Sequence, residues 1–159
     1  MKRFSQMIDS PLGEITLAGN ENALCGLWFA GQKHFSLGYT LEEARLPLFD
    51  RCAEWLARYF AGEAPDPLLL PLAPQGSAFQ MRIWARLLAV PYGESVTYGQ
   101  LARELGNSAR AVGGAVGRNP ISILIPCHRV LGTDGSLTGY AGGTERKRFL
   151  LDLEGIAWH

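Results

Sequence analysis

TYGQLARELGNSARAVGGAVGRN, residues 97–119, is the stretch from which the architecture follows. Ser95 or Thr97 offers a hydroxyl that can cap a short helix, and Gly106 with Asn107 closes it with residues that tolerate a left-handed turn. Ser108 then caps a second short helix. Two short helices joined by a Gly-Asn turn form a helix-turn-helix candidate. The second helix is unusual in composition. Ala109, Ala111, Gly113, Gly114, Ala115 and Gly117 leave Arg110 as its only long side chain. Each interior glycine costs about 1 kcal/mol relative to alanine, so three of them call for a steric reason. Either another helix packs closely against this one, or its smooth face enters a narrow nucleic-acid groove with the lone arginine as a wedge.

Upstream, SAFQMRIWARLLAV repeats Phe79, Ile83, Trp84, Leu87 and Leu88 on one helical face, with Ser77 as its N-cap. Before it, GEAPDPLLLPLAPQG is rich in proline and glycine. It reads as a tether with a domain boundary near residue 73, or else as a long surface loop within one domain. The first thirty residues alternate apolar and polar side chains in three runs, FSQMI, EITLAG and ALCGLWF, separated by turn residues. They predict three antiparallel strands. Residues 41–61 place Leu48, Cys52, Trp55, Leu56, Tyr59 and Phe60 at three-and-four spacing, predicting an amphipathic helix over one face of that sheet. Downstream, ISILIPCHRVL reads as a β-rich apolar run entering a loop, and TERKRFLLDLEG as a closing helix capped by Thr144.

Composition narrows the class. Of 159 residues, 47% are hydrophobic and 19% charged, which suits a chain that buries a core and excludes a disordered one. Formal net charge is zero, arguing against bulk electrostatic capture of a polyanion, but the balance is uneven. Residues 1–73 carry six basic against nine acidic groups, and residues 74–159 carry nine against six, so any anionic partner belongs to the second part. With no long apolar run and no leader pattern, the expected location is cytoplasmic, nucleoid-associated in a bacterium or nuclear in a eukaryote, with no membrane partner.

Chemistry concentrates at Pro126-Cys127-His128-Arg129-Val130. A thiolate is the strongest side-chain nucleophile, and the imidazole beside Cys127 and the guanidinium of Arg129 could each favour it. Adjacent side chains seldom point the same way, so His128 is expected to reach the sulfur through a water, its other nitrogen held by Glu154. Cys25 and Cys52 read as inert core residues, and His34 and His159 as surface residues. Three histidines and three scattered cysteines build no metal site.

NPISILIPCHRV at 119–130, preceded by ARAVGGAVGR and followed by GYAGG and LEG, resembles the O6-alkylguanine-DNA alkyltransferases, also called methylated-DNA-protein-cysteine methyltransferases. The resemblance is close over residues 76–155 and loose before them. It implies an α+β fold: a small RNase H-like antiparallel sheet with a helix in residues 1–73, mostly supportive, then a largely helical domain in residues 74–159. The second domain would bear the helix-turn-helix and the active-site cysteine loop. It further implies DNA repair by a suicide reaction, in which an O6-alkylguanine, or less well an O4-alkylthymine, is flipped from duplex DNA and its alkyl group moves irreversibly to Cys127.

Carried over by resemblance, His128 and Glu154 form a relay, Asn119 ties the recognition helix to the cysteine loop, and Tyr98 donates to the base. The backbone of Cys127, Val130 and Ala141, with Tyr140 of the GYAGG loop, would bind the guanine. Arg110 is the finger that replaces the flipped nucleotide, and Thr97, Ser108, Ala109 and Gly113 lie along the minor groove. A monomer is implied, with cooperative assembly on DNA allowed, and no cofactor or metal. The alternative from another class is a helix-turn-helix protein that senses lesions or regulates genes without chemistry. A third reading, a cysteine hydrolase, would need repeated turnover of an ester or amide.

Overall fold

The computed structural model describes residues 2–159. Strands β1 (Lys2–Ile8), β2 (Ile15–Gly19) and β3 (Leu24–Phe29) form the expected antiparallel meander. A fourth strand, β4 (Thr40–Glu43), adds to the free edge of β1 in parallel, giving the order β3-β2-β1-β4. The expected antiparallel meander thus gains a parallel edge strand, and the helix expected from residue 41 starts later, as α1 (Pro47–Phe60). Two local facts explain the difference. Thr40-Leu-Glu-Glu has a single apolar side chain, Leu41, too little for a helical face, and its backbone is satisfied by pairing with Lys2 to Ser5 instead. Pro47 then presets the first helical turn.

Strands β2 and β3 are buried on both faces. Ile15, Leu17, Leu27 and Phe29 meet Leu48, Phe49, Cys52 and Leu56 of α1 in the main core. On the other face, Ala18, Cys25 and Trp28 pack beneath Tyr39 and Leu41. Both remote cysteines are thus enclosed, and burial pushes the Cys52 thiol up to about 12.

The remainder is helical: α2 (Ala78–Leu88), α3 (Tyr98–Leu105), α4 (Ala109–Gly117) and α5 (Thr144–Glu154), with a two-stranded parallel ladder between β5 (Val96–Thr97) and β6 (Val130–Leu131). Capping is as the sequence predicts for three of them. Ser77 and Gln80 form a reciprocal capping box on α2, as Thr97 and Gln100 do on α3, while Ser108 Oγ accepts from Ala111 N at 3.1 Å. Each cap contributes about 1 kcal/mol. In α5 the expected cap is corrected. Thr144 is the first helical residue and Gly143, at φ 93°, is the N-cap, a backbone shape that favours glycine.

The two parts share one apolar core. Ile83, Trp84 and Leu87 of α2 and Val112 of α4 join the same cluster as the sheet and α1, and Trp84 Nε1 donates to Ala115 O at 2.9 Å. Nor does the proline-rich stretch hang free: Leu24 N donates to Pro71 O and Ala73 N to Leu24 O along the edge of β3. The same edge also holds the cysteine loop, because Leu27 N donates to Pro120 O at 2.9 Å and Ser122 N to Leu27 O at 3.2 Å. An otherwise exposed strand edge is thereby spent on anchoring the loop.

Candidate active site

Residues 121–125, ISILI, are mostly apolar with three β-branched isoleucines, but they do not form the expected strand. They turn. Asn119, almost fully buried, replaces the missing ladder: its Oδ1 accepts from Ile121 N at 3.0 Å and its Nδ2 donates to Ile125 O at 2.8 Å. Ile123 sits at φ 69° inside this knot, a conformation a β-branched residue adopts only when its surroundings enforce it. Burial on every side, not pairing, selects the apolar side chains here. The chain leaves the knot into a single 3-10 turn, Cys127–Arg129, that fixes the direction of Cys127.

Cys127 is 3% exposed and forms part of the wall of an open cavity of about 430 Å3. Tyr98 of α3 and Gly113, Gly114 and Gly117 of α4 line one side. Tyr140 and Ala141 line another, held by Gly142, where an added Cβ would sit 2.8 Å from Phe29 and Tyr140. Arg146 also pins this loop, donating to Gly142 O and to Leu12 O at 3.1 Å each. The Ala141 carbonyl accepts from Lys33 N, while its own N–H enters no hydrogen bond among the described residues and is available to a ligand.

The relay takes shape behind the cysteine. His128 Nε2 lies 2.6 Å from Glu154 Oε2. A carboxylate only accepts, so Nε2 carries the proton and Nδ1 is the basic nitrogen. Nδ1 is buried with no hydrogen-bond partner among the described residues, the cysteine sulfur included. Burial lowers the imidazole's pKa against the pull of Glu154, so the ring is neutral and able to take a proton. Burial alone would raise the Glu154 carboxyl, but the hydrogen bonds from His128 and Arg129 and the guanidinium charge of Arg129 outweigh it and bring it to about 2. Burial raises the Cys127 thiol, with Asn119 and Lys147 opposing, so the resting sulfur is protonated and needs a base.

Arg129 does not serve the sulfur as expected. Its Nε donates to Glu154 Oε1 at 2.7 Å and its Nη1 to Val90 O at 2.7 Å. Val130 is fully buried, and its carbonyl accepts from Lys147 Nζ at 2.6 Å, which leaves it a second lone pair. Thr97 and Ser108 have their hydroxyls committed to the helix caps, while Ala109 and Arg110 are exposed at the start of α4. Arg110 has no ion pair or hydrogen bond among the described residues.

The glycines of α4 answer the question their composition poses. A Cβ at Gly113 would meet only Tyr98, at 3.8 Å, and one at Gly114 or Gly117 would meet nothing within 4 Å. No neighbouring helix requires them, so packing within the chain does not account for these glycines.

Three residues escape the sequence reading. Lys147 is fully buried, bonded also to Thr138 Oγ1 at 3.1 Å, and burial brings its ammonium down to about 8. Its signal was present: Lys147, Leu150, Leu151 and Glu154 repeat at three-and-four spacing on the buried face of α5. Tyr59 donates to Glu154 Oε2 at 2.6 Å from 95 residues away, which no spacing announces. Lys33, with His34, lines the cavity from a loop of the N-terminal part. Among the described residues, no group of three His, Cys, Asp or Glu could hold a metal, and no helix is long and apolar enough to cross a membrane.

A lone nucleophile on a cavity wall, a neutral histidine base oriented by a carboxylate, and a smooth outward helix define a cysteine group-transfer site beside a nucleic-acid-binding motif. Comparison with known proteins agrees. Residues 4–74 match the ribonuclease-like domain, and residues 78–156 the DNA binding domain, of 6-O-methylguanine DNA methyltransferase. The chain belongs to that family. The methylated-DNA--protein-cysteine methyltransferase of Haemophilus influenzae is 44% identical over 151 residues, covering 94% of this chain and 84% of the relative. That of Methanosarcina acetivorans is 45% identical over 155 residues, covering 96% and 98%. The crystal structure of Mycobacterium tuberculosis OGT in complex with DNA superposes with a TM-score of 0.81 at 42% identity, covering 97% of this chain and 92% of that one.

Proposed function

We propose that this protein repairs alkylated DNA by moving the alkyl group of O6-alkylguanine irreversibly to the Sγ of Cys127, each molecule acting once. The observation that carries the reading is the pairing of a buried thiol on an open cavity wall with a histidine whose Nδ1 is left free by the bond from Nε2 to Glu154.

The step balances without a cofactor. His128 Nδ1 takes the thiol proton through a bridging water, and the thiolate attacks the alkyl carbon. The S–C bond forms, the C–O6 bond breaks, and its electron pair goes to O6 and the purine ring. Tyr98 hydroxyl and the Ala141 N–H are the donors that meet this charge, and the guanine leaves neutral after taking up a proton. Tyr140 closes the wall beside the sulfur. The thioether has no acyl carbon for water to attack, so the protein is consumed.

DNA is the partner. A base can enter this cavity only when it leaves the stack, at a cost of a few kcal/mol, less for a damaged base. Arg110, exposed at the start of α4, fills the space it leaves. The open glycine face of α4, with Thr97, Ser108 and Ala109 at the helix ends, lies in the minor groove, where few base-reading side chains suit a lesion that can occur in any sequence. We place the protein on DNA as a monomer in the compartment that holds the genome.

The reading is tested by comparing the wild type with Cys127→Ser on a duplex bearing O6-methylguanine. The wild type alone should lose the lesion from the DNA, with both binding it. Equal retention and no loss of lesion with either protein would favour a sensor without chemistry.

A further inference from the structure

Tyr59 lies in the last turn of α1, in the N-terminal part of the chain, and is 1% exposed. Its ring packs among aromatic neighbours. It stacks on Trp55 with centroids 5.6 Å apart and planes 7° apart, and meets Phe60 at 5.4 Å and Tyr92 at 6.1 Å edge-on. Phenylalanine would pack there as well, so packing does not account for the hydroxyl. A buried hydroxyl must be bonded or it costs stability. This one donates to Glu154 Oε2 at 2.6 Å, the same oxygen that holds His128 Nε2, and lies 3.5 Å from that nitrogen.

The carboxylate is held from several directions. Arg129 donates to both of its oxygens and Gly93 N donates to Oε1 at 3.1 Å. Among the described residues, only Tyr59 brings it a donor from the N-terminal part. The other groups of possible charge around its hydroxyl are His128 and Arg129 on the cysteine turn, Tyr92 after α2, and Tyr140 in the cavity wall.

We propose that Tyr59 is a positioning residue for alkyl transfer: its hydroxyl fixes Glu154 Oε2 and draws off part of its charge, setting the orientation and basicity of His128. The proposal rests on the relay reading of His128 and Glu154. It gives the N-terminal part a direct share in the chemistry beyond support.

Tyr59→Phe removes the donor and keeps the ring. Without it Oε2 is more negative and less constrained, so His128 binds a proton more readily yet is less well aimed. Single-turnover transfer from an O6-methylguanine duplex should slow by about tenfold at saturating protein. Duplex affinity should be unchanged, and the acidic limb of the rate profile should move to higher pH. Trp55→Phe serves as the packing control: it should lower Tm without moving that limb. An unchanged rate and limb in Tyr59→Phe would overturn the proposal, as would a slower rate with an unmoved limb matching the Trp55→Phe behaviour. Wild type that acquires no alkyl group would instead sink the relay reading itself.

Discussion

His128 and Glu154 meet at 2.6 Å through Nε2 and Oε2, and this contact assigns the proton within the imidazole and so decides which nitrogen can act as base. Glu154 also neutralises the buried guanidinium of Arg129. One carboxylate therefore serves both the chemistry and the fold.

Glu154→Gln should damage both. Arg129 would be left as an unpaired charge in a buried site, a loss of about 3–5 kcal/mol. An amide can present either its oxygen or its nitrogen to Nε2, so the imidazole tautomer is no longer dictated. Thermal melts should show a large drop in Tm, and single-turnover assays at a permissive temperature should show transfer slowed by about a hundredfold or more. A variant with wild-type Tm and rate would contradict the dual role.

The acid limit of stability follows from the same group. Its folded pKa, about 2, lies below the ordinary value of 4.5, so the stability it supplies is fully present above pH 4.5 and is lost as pH falls through about 2. The Tm difference between wild type and Glu154→Gln should therefore shrink across this window. A difference that stays constant from pH 5 to about 2 would place the stabilisation elsewhere.

Lys147 predicts a slope of the same sign at alkaline pH. Its ammonium is brought down from 10.5 to about 8, so between these values the unfolded chain binds more protons and this group makes stability rise with pH. Lys147→Met should abolish that contribution, visible as a steeper alkaline loss of Tm than in the wild type. Parallel curves for the two proteins between pH 8 and 10 would refute it.

Much of this was legible beforehand, for identifiable reasons. The caps Ser77, Thr97 and Ser108 were readable because a cap is a local event. Cys127, His128 and Glu154 were readable because a motif carried them. β4 was not, since Thr40-Leu-Glu-Glu becomes a strand only through the edge of β1, which is distant in sequence. The apolar run at 121–125 misled because β-branched residues signal burial as readily as strand pairing, and here Asn119 supplies the hydrogen bonds. Tyr59 was counted as a core aromatic, which its ring is; nothing local reveals where its hydroxyl ends.

The glycines of α4 separate fold from function. Because a Cβ at Gly114 meets nothing within 4 Å, Gly114→Ala should stabilise the protein by about 0.5–1 kcal/mol while weakening duplex binding several-fold. Melting curves and a duplex titration measure the two effects. A stabilised protein with full duplex affinity would show that this face does not enter the groove.

Arg110→Ala should leave stability within about 0.5 kcal/mol of wild type, since the side chain is exposed. Transfer from an alkylated duplex should fall far more than transfer from free O6-benzylguanine, because only the duplex reaction needs the flipped state held open. Equal losses on both substrates would rule out the finger.

The central claim is that Cys127 keeps the alkyl group. Excess O6-methylguanine duplex should add one methylene's mass, about 14 Da, to the intact protein, confined to the peptide containing Cys127 and never exceeding one group per chain. An unchanged mass while the lesion disappears, or lesion loss continuing beyond one equivalent, would contradict the account.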